Sequence, residues 1–206
     1  MNIFYLHEDP QVSAKMHCDK HVVKMIIEYA QMLSTAHRML DGVVVRKPSK
    51  SGKTMVKHYD LYEGMDDLEA EMTYYKAVHF NHPCNVWIRQ SNKNYLYLYR
   101  LFCELCDEYT HRYGKIHETD CKLRSALWTL PVNIHYKPFT EPPQAMPDYC
   151  KRTDVIDAYR TYYINEKQRF AKWTKRNVPE WYKNGTKKYK KTTTICLFYP
   201  KYFNCV

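Results

Sequence analysis

The chain has 206 residues, 45% of them hydrophobic and 26% charged, with 32 Lys and Arg against 22 Asp and Glu, a formal net charge of +10. That apolar share supports a packed interior, which excludes a disordered chain, while five Gly, ten Pro and no internal repeat exclude fibrous and solenoid classes. No stretch approaches the roughly 18–20 unbroken apolar residues a membrane helix needs, and eight cysteines in a chain this long read as reduced thiols rather than a disulfide scaffold.

The opening MNIFYLHEDP is apolar for six residues only and lacks a basic start and a small-residue cleavage site, so the protein is expected to stay in the cytoplasm. Ile3 to Leu6 reads as a short strand or a buried lead-in, and Asp9-Pro10 as a helix start, with Asp as cap and Pro in the first turn. One long helix is expected from Gln11 to Leu40, because Ala14, Cys18, Val22, Met25, Ile26, Tyr29, Leu33 and Ala36 recur at three- and four-residue steps. Asp41-Gly42 ends it. Residues 43–58, VVVRKPSKSGKTMVKH, read as an exposed loop. SKSGKT is no phosphate-binding loop, since the required first Gly is Lys47.

A helix is expected over Tyr62 to Val78 and, after His79 to Pro83, another from Cys84 to about Tyr113 with Gly114 as its cap. A short helix over Cys121 to Leu130 precedes Pro131 to Pro147, which holds five prolines and must be extended. The last major helix is expected over Asp154 to Asn177, followed by a basic linker and an aromatic tail to Val206 that has no assignable partner. The fold class is therefore mainly α, a helical bundle-like domain over residues 1–182 with a minor strand element, followed by a 183–206 tail.

Charge is unevenly placed. Lys151 to Lys191 holds thirteen basic and four acidic residues, a net +9, and the rest of the chain is nearly neutral. Such a segment fits a polyanion, through phosphate neutralisation and counterion release, or else a solvated basic face. Lys172, Lys175, Arg176, Lys187 and Lys188 are its candidate nucleic-acid contacts.

The densest chemistry lies at the start of the long helix, in His17, Asp19, Lys20, His21, Lys24 and Glu28. His17, His21, Lys24 and Glu28 fall at i, i+4, i+7 and i+11, a polar seam beside the apolar stripe that could hold a base, a cation and imidazoles for proton transfer, or simply a solvated face. Cys18 stands where a zinc-protease helix would carry Glu, and Cys103 and Cys106 lie inside an apolar pattern, so neither calls for a metal, and no cofactor is called for. In NHPCNVWIRQSNKNY, His82 precedes a helix N-terminus that favours an anion, or caps it; Trp87, Arg89, Asn94 and Tyr95 follow, as stacking and backbone contacts or as core.

Four blocks in this order, MNIFYLHEDP, HCDKHVVKMIIEYAQMLSTAH at 17–37, NHPCNVWIRQSNKNY at 81–95 and EPPQAMPDYC at 141–150, resemble small proteins of tailed bacteriophages over about residues 1–182. These are grouped with phage enzymes acting on DNA pyrimidines, pyrimidine-dimer glycosylases and glycosylase-related thymine-modifying enzymes among them. The resemblance implies an enzyme of the infected cell acting on a pyrimidine base in DNA. Dimer glycosylases use a processed N-terminal amine, whereas Met1 here precedes Asn2, too large for efficient Met removal. If a glycosidic bond is cleaved, Lys20 or Lys24 is therefore expected to form the imine or hold phosphate, with Asp19 or Glu28 activating water or supporting an oxocarbenium-like state, and Trp87 or Tyr95 stacking a flipped base. A non-catalytic nucleic-acid-binding accessory protein, and a protein-binding factor using residues 192–206, are the competing readings.

Overall fold

The computed structural model describes residues 1–61 and 68–186. Ile3 to Leu6 forms no strand but a buried lead-in. Helix α1 (Pro10–Met16) starts as the sequence dictates: the Asp9 carboxylate accepts from the Gln11 N–H at 2.8 Å and Pro10 occupies the first turn. The single long helix expected from Gln11 is two. His17 and Cys18 are extended, with ψ of 136° and 161°, and α2 (Asp19–Asp41) restarts beyond them. The apolar stripe runs across the break without a gap, so periodicity could not reveal it. The break turns the His17 ring into the core between the two helices.

The stripe on α2 is buried from Val22 to Ala36 and packs on α4 (Pro83–Gln90) and α5 (Asn92–Tyr113). α2 ends at Gly42, whose backbone is extended and where a Cβ would sit 2.5 Å from the Arg38 carbonyl oxygen. Residues 43–58, expected as a loop, are instead largely an antiparallel hairpin. Strand β1 (Val43–Pro48) pairs with β2 (Met55–Asp60) in the register Val43 to Asp60 through Pro48 to Met55. Its β-branched flanks around SKSGKT were the missed signal, though the segment is exposed as expected. Arg38 roots this region, donating to the Tyr59, Tyr74 and Tyr75 carbonyls and pairing with Glu71 at 2.6 Å on α3 (Leu68–Thr73).

The helix expected from Cys84 to Tyr113 is also broken. Ser91 adopts an extended backbone (φ −154°, ψ 138°), accepts from the Lys93 N–H and donates to the Lys137 carbonyl at 2.7 Å. α5 ends at Gly114, left-handed at φ +69°, as expected. Helix α6 (Glu118–Leu123) and a 3-10 turn at Ala126–Trp128 replace the helix expected over 121–130. Pro131 to Pro147 is without helix or strand and passes along the α4–α5 junction, where Thr140 meets Trp87 and Asn94.

Helix α7 (Val155–Glu166) begins at the Asp154 cap and ends well short of Asn177. The next residues turn back over the start of α2. There the Asp19 N–H donates to the Lys172 carbonyl at 2.8 Å, and the Trp173 indole N–H to the Met16 carbonyl at 2.9 Å. These contacts outweigh the local helical pattern. Residues 180–186 form a last helical stretch. The tail from residue 187, with Lys187, Lys188 and residues 192–206, lies outside the described residues, as do residues 62–67 of the helix expected over 62–78.

Candidate active site

The lead-in is held by side chains from three helices. The Phe4 N–H donates to the Tyr29 hydroxyl at 3.1 Å, and the Leu6 carbonyl accepts from the Arg160 guanidinium at 3.0 Å. Because the Ser13 carbonyl can only accept, the His17 Nδ1 2.7 Å away carries the proton, which leaves Nε2 to accept from the Tyr29 hydroxyl at 3.3 Å. The relay runs from Phe4 through Tyr29 to His17 and Ser13, every member buried. Phe4 also stacks on the His21 ring at 4.3 Å, and the His21 Nδ1 lies 2.5 Å from the Tyr163 hydroxyl of α7.

With residue 4 pinned, the Met1 ammonium falls 3.8 Å from Glu28 Oε2, while Lys24 Nζ lies 2.9 Å from Oε1. The two amines differ sharply in setting: the Met1 side chain is 7% exposed and that of Lys24 69%, with Glu28 between them at 16%. The turn before α4 completes the wall. His82 caps α4 by accepting from the Cys84 N–H at 3.2 Å, and its pKa is lowered by burial first and then by the Met1 ammonium. Asn85 donates to the Val78 and His79 carbonyls and approaches the Met1 sulfur, and its buried Oδ1 meets no donor among the described residues. The sequence set the Met1 amine aside in favour of Lys20 or Lys24 and did not single out Asn85. The i+4 and i+11 spacing identified Glu28, but only the fold brings residue 1 to it.

The predicted seam divides. Lys24 and Glu28 share the site. His17 and His21 lie beneath it in the core, desolvated enough to lower their pKa values to about 4 and about 2; a hydrogen bond to Ser13 opposes the fall for His17, and the neighbouring charge of His17 adds to it for His21. Asp19 accepts from Arg112 at 2.8 Å and from the Thr174 N–H and hydroxyl, and Lys20 projects over the Phe170 ring at the helix start. Imidazoles whose folded pKa is depressed bind fewer protons folded than unfolded. Their stabilising contribution is thus complete above the unfolded value near 6.5 and is lost as pH falls toward about 4. His37, lowered to about 4 by burial, acts the same way. Thermal unfolding followed from pH 7.5 to 4.5 should show the midpoint falling steadily below about pH 6.5, and the fall should lessen in His37→Gln.

Of the proposed nucleic-acid contacts, His82 reaches the site. Trp87, Asn94 and Tyr95 are buried: the Trp87 indole N–H donates to Thr140, both Asn94 amide groups are engaged, and the Tyr95 hydroxyl donates to the Leu127 carbonyl. In this conformation none offers a face for a base. Arg89 is half-buried and donates to the Phe80 carbonyl; Lys172 and Lys175 are exposed; Arg176 is bound to Glu108 at 2.8 Å. Cys103 and Cys106 pack within α5, and no cluster of His, Cys, Asp or Glu among the described residues is arranged to hold a metal ion. No described helix is long and apolar enough to cross a membrane.

No curated protein and no solved structure matches the chain. Residues 1–123 match the sequence model of the family described as pyrimidine dimer DNA glycosylase, a span that contains the lead-in, α2 and the His82 turn. With more than half of its length matched, and with its amine and carboxylate brought together inside that span, the chain belongs to the pyrimidine dimer DNA glycosylase family.

Proposed function

We propose that the protein releases one pyrimidine of a dimer from its deoxyribose in DNA, the base staying joined to its neighbour through the dimer, with the α-amine of residue 1 as nucleophile and Glu28 as its carboxylate partner. The observation that carries this is the shielded meeting of the Met1 amine with Glu28, 3.8 Å apart, in a chain of this family. In the step proposed, the amine lone pair attacks the deoxyribose C1′ and the bond from C1′ to the base nitrogen breaks, its electrons leaving with the base, which then takes up a proton. The attacking nitrogen loses a proton to Glu28; its lone pair then expels O4′ from C1′, O4′ takes the C1′–O4′ electrons and the proton from Glu28, and a protonated imine is left. Water returns the amine and an abasic sugar. While positive charge builds on the sugar, the Glu28 carboxylate supports it. Similarity of the four sequence blocks to tailed-phage proteins supports a phage source and action in the infected cell.

The lysine expectation remains the second reading, favoured by the 2.9 Å contact of Lys24 with Glu28. Borohydride reduction of the protein turning over dimer-containing duplex, followed by peptide mapping, separates the two. A sugar adduct on residue 1, retained in Lys24→Gln, is expected. An adduct on Lys24 overturns the α-amine assignment, and neither adduct nor base release leaves a nucleic-acid-binding accessory protein.

A further inference from the structure

The β1–β2 hairpin takes no part in the site, and the fold accounts for only part of its charge: Lys47 meets Asp60 and Lys57 lies over the Tyr59 ring at 5.1 Å. Residues 43–60 carry Arg46, Lys47, Lys50, Lys53 and Lys57, all exposed, against one acid, Asp60. Lys47 is paired with Asp60; the other four have no carboxylate partner among the described residues. The strand register also sets Arg46 directly opposite Lys57, and like charges so placed weaken a sheet. A two-stranded ribbon that repels itself is stabilised once an anion lies along it.

Its root is firm and close to the site. The Tyr59 carbonyl accepts from Arg38 at 3.0 Å, the Leu61 N–H donates to Glu71 at 2.9 Å, and Gly42 lets the first strand leave in contact with α2. Tyr59 packs edge-on to Phe80 at 5.6 Å, in the same 78–82 turn whose carbonyls hold Asn85 and whose His82 lines the Glu28 site. The tip is closed by the Ser49 N–H on the Thr54 carbonyl at 2.7 Å, with Gly52 left-handed at φ +71°. Two six-residue strands extend about 20 Å, several phosphate spacings, and such a ribbon is narrow enough for a DNA groove.

We propose that this hairpin is a DNA-contacting arm, in which Arg46, Lys50, Lys53 and Lys57 neutralise phosphates of the duplex whose damaged nucleotide occupies the Glu28 site. The role of the arm rests on the glycosylase reading, which supplies its partner. Extended cations without a pocket fit the repeating charge of a nucleic-acid backbone better than a folded acidic protein.

The test uses the full chain, the variant R46Q/K50Q/K53Q/K57Q and a tip-only variant K50E/K53E, which leaves both strands unaltered. Affinity for undamaged duplex is measured from 50 to 200 mM salt, and release of the base from its sugar in dimer-containing duplex, read as alkali-labile strand breaks, under saturating single-turnover conditions. In the fourfold variant the slope of log affinity against log salt should fall by about two to four, with affinity at 100 mM salt reduced at least about tenfold. K50E/K53E should lose affinity in the same direction, and base release at saturation should stay within about twofold of the parent. An unchanged slope in both variants, with native circular dichroism, overturns the arm. Should the parent release no base while the variants still lose duplex affinity, the glycosylase reading falls and the arm stands.

Discussion

Glu28→Gln should lower the single-turnover rate of base release by about 10²–10⁴-fold, the range spanned by removal of one positioned proton-transfer group, while undamaged duplex is bound nearly as before. The carboxylate lies between two amines, 3.8 Å from Met1 and 2.9 Å from Lys24, so the substitution removes a proton acceptor and a negative charge together. Gln keeps the shape, and the lead-in depends on Tyr29 and Arg160 rather than on Glu28. The variant should therefore unfold at the parent's temperature. Quenched-flow measurement of abasic-site formation, read as alkali-labile strand breaks, with Kd for undamaged duplex determined in parallel, checks it. A rate within about threefold of the parent would remove Glu28 from the chemistry.

Arg112→Met should have the opposite profile. Arg112 is fully buried and donates to Glu108 at 2.7 Å, to Asp19 at 2.8 Å and to the Lys15 carbonyl, and Glu108 receives Arg176 as well. Burial raises the Glu108 pKa, but hydrogen bonds from Arg176 and Arg112 outweigh it and hold the carboxyl below its usual range. Breaking a buried ionic network by removing one member costs about 3–5 kcal/mol. Here Arg176 stays on Glu108 and Thr174 on Asp19, which places the loss near the lower end. Calorimetry should show the midpoint falling by about 10 °C at neutral pH. Below the folded pKa of Glu108 the protonated carboxyl no longer gains from its partners, so the difference between parent and variant should narrow in acid. Equal midpoints at pH 7 would contradict this account.

Much of the helical architecture was legible because caps and apolar spacing are local. Asp9-Pro10, Gly42, Gly114 and Asp154 each mark a boundary that the structure keeps. The breaks at His17 and Ser91 were harder to read, since neither carries Gly or Pro and the local signal, a Ser91 hydroxyl that caps the next helix, is joined by distant partners: Tyr29 for the His17 ring, the Lys137 and Pro138 carbonyls for the Ser91 hydroxyl. The end of α7 was hidden for the same reason, its successor being held by Met16 and Asp19. In the site, spacing along α2 marked Lys24 and Glu28 as neighbours, but the seam was drawn through His17 as if the helix were continuous. Reading Trp87 and Tyr95 as contacts for a base fell on residues whose polar atoms close the core. The amine at residue 1 belongs to no periodic element, so only tertiary packing relates it to Glu28.

Pinning of the lead-in also orders events during synthesis. Arg160 and Tyr163, which fasten Leu6 and brace His21 beneath Phe4, lie more than 140 residues after the groups they hold. The lead-in therefore stays without the surroundings that set it beside Glu28 until most of the described chain has been made. Its place beside Glu28 should be taken up only when α7 docks.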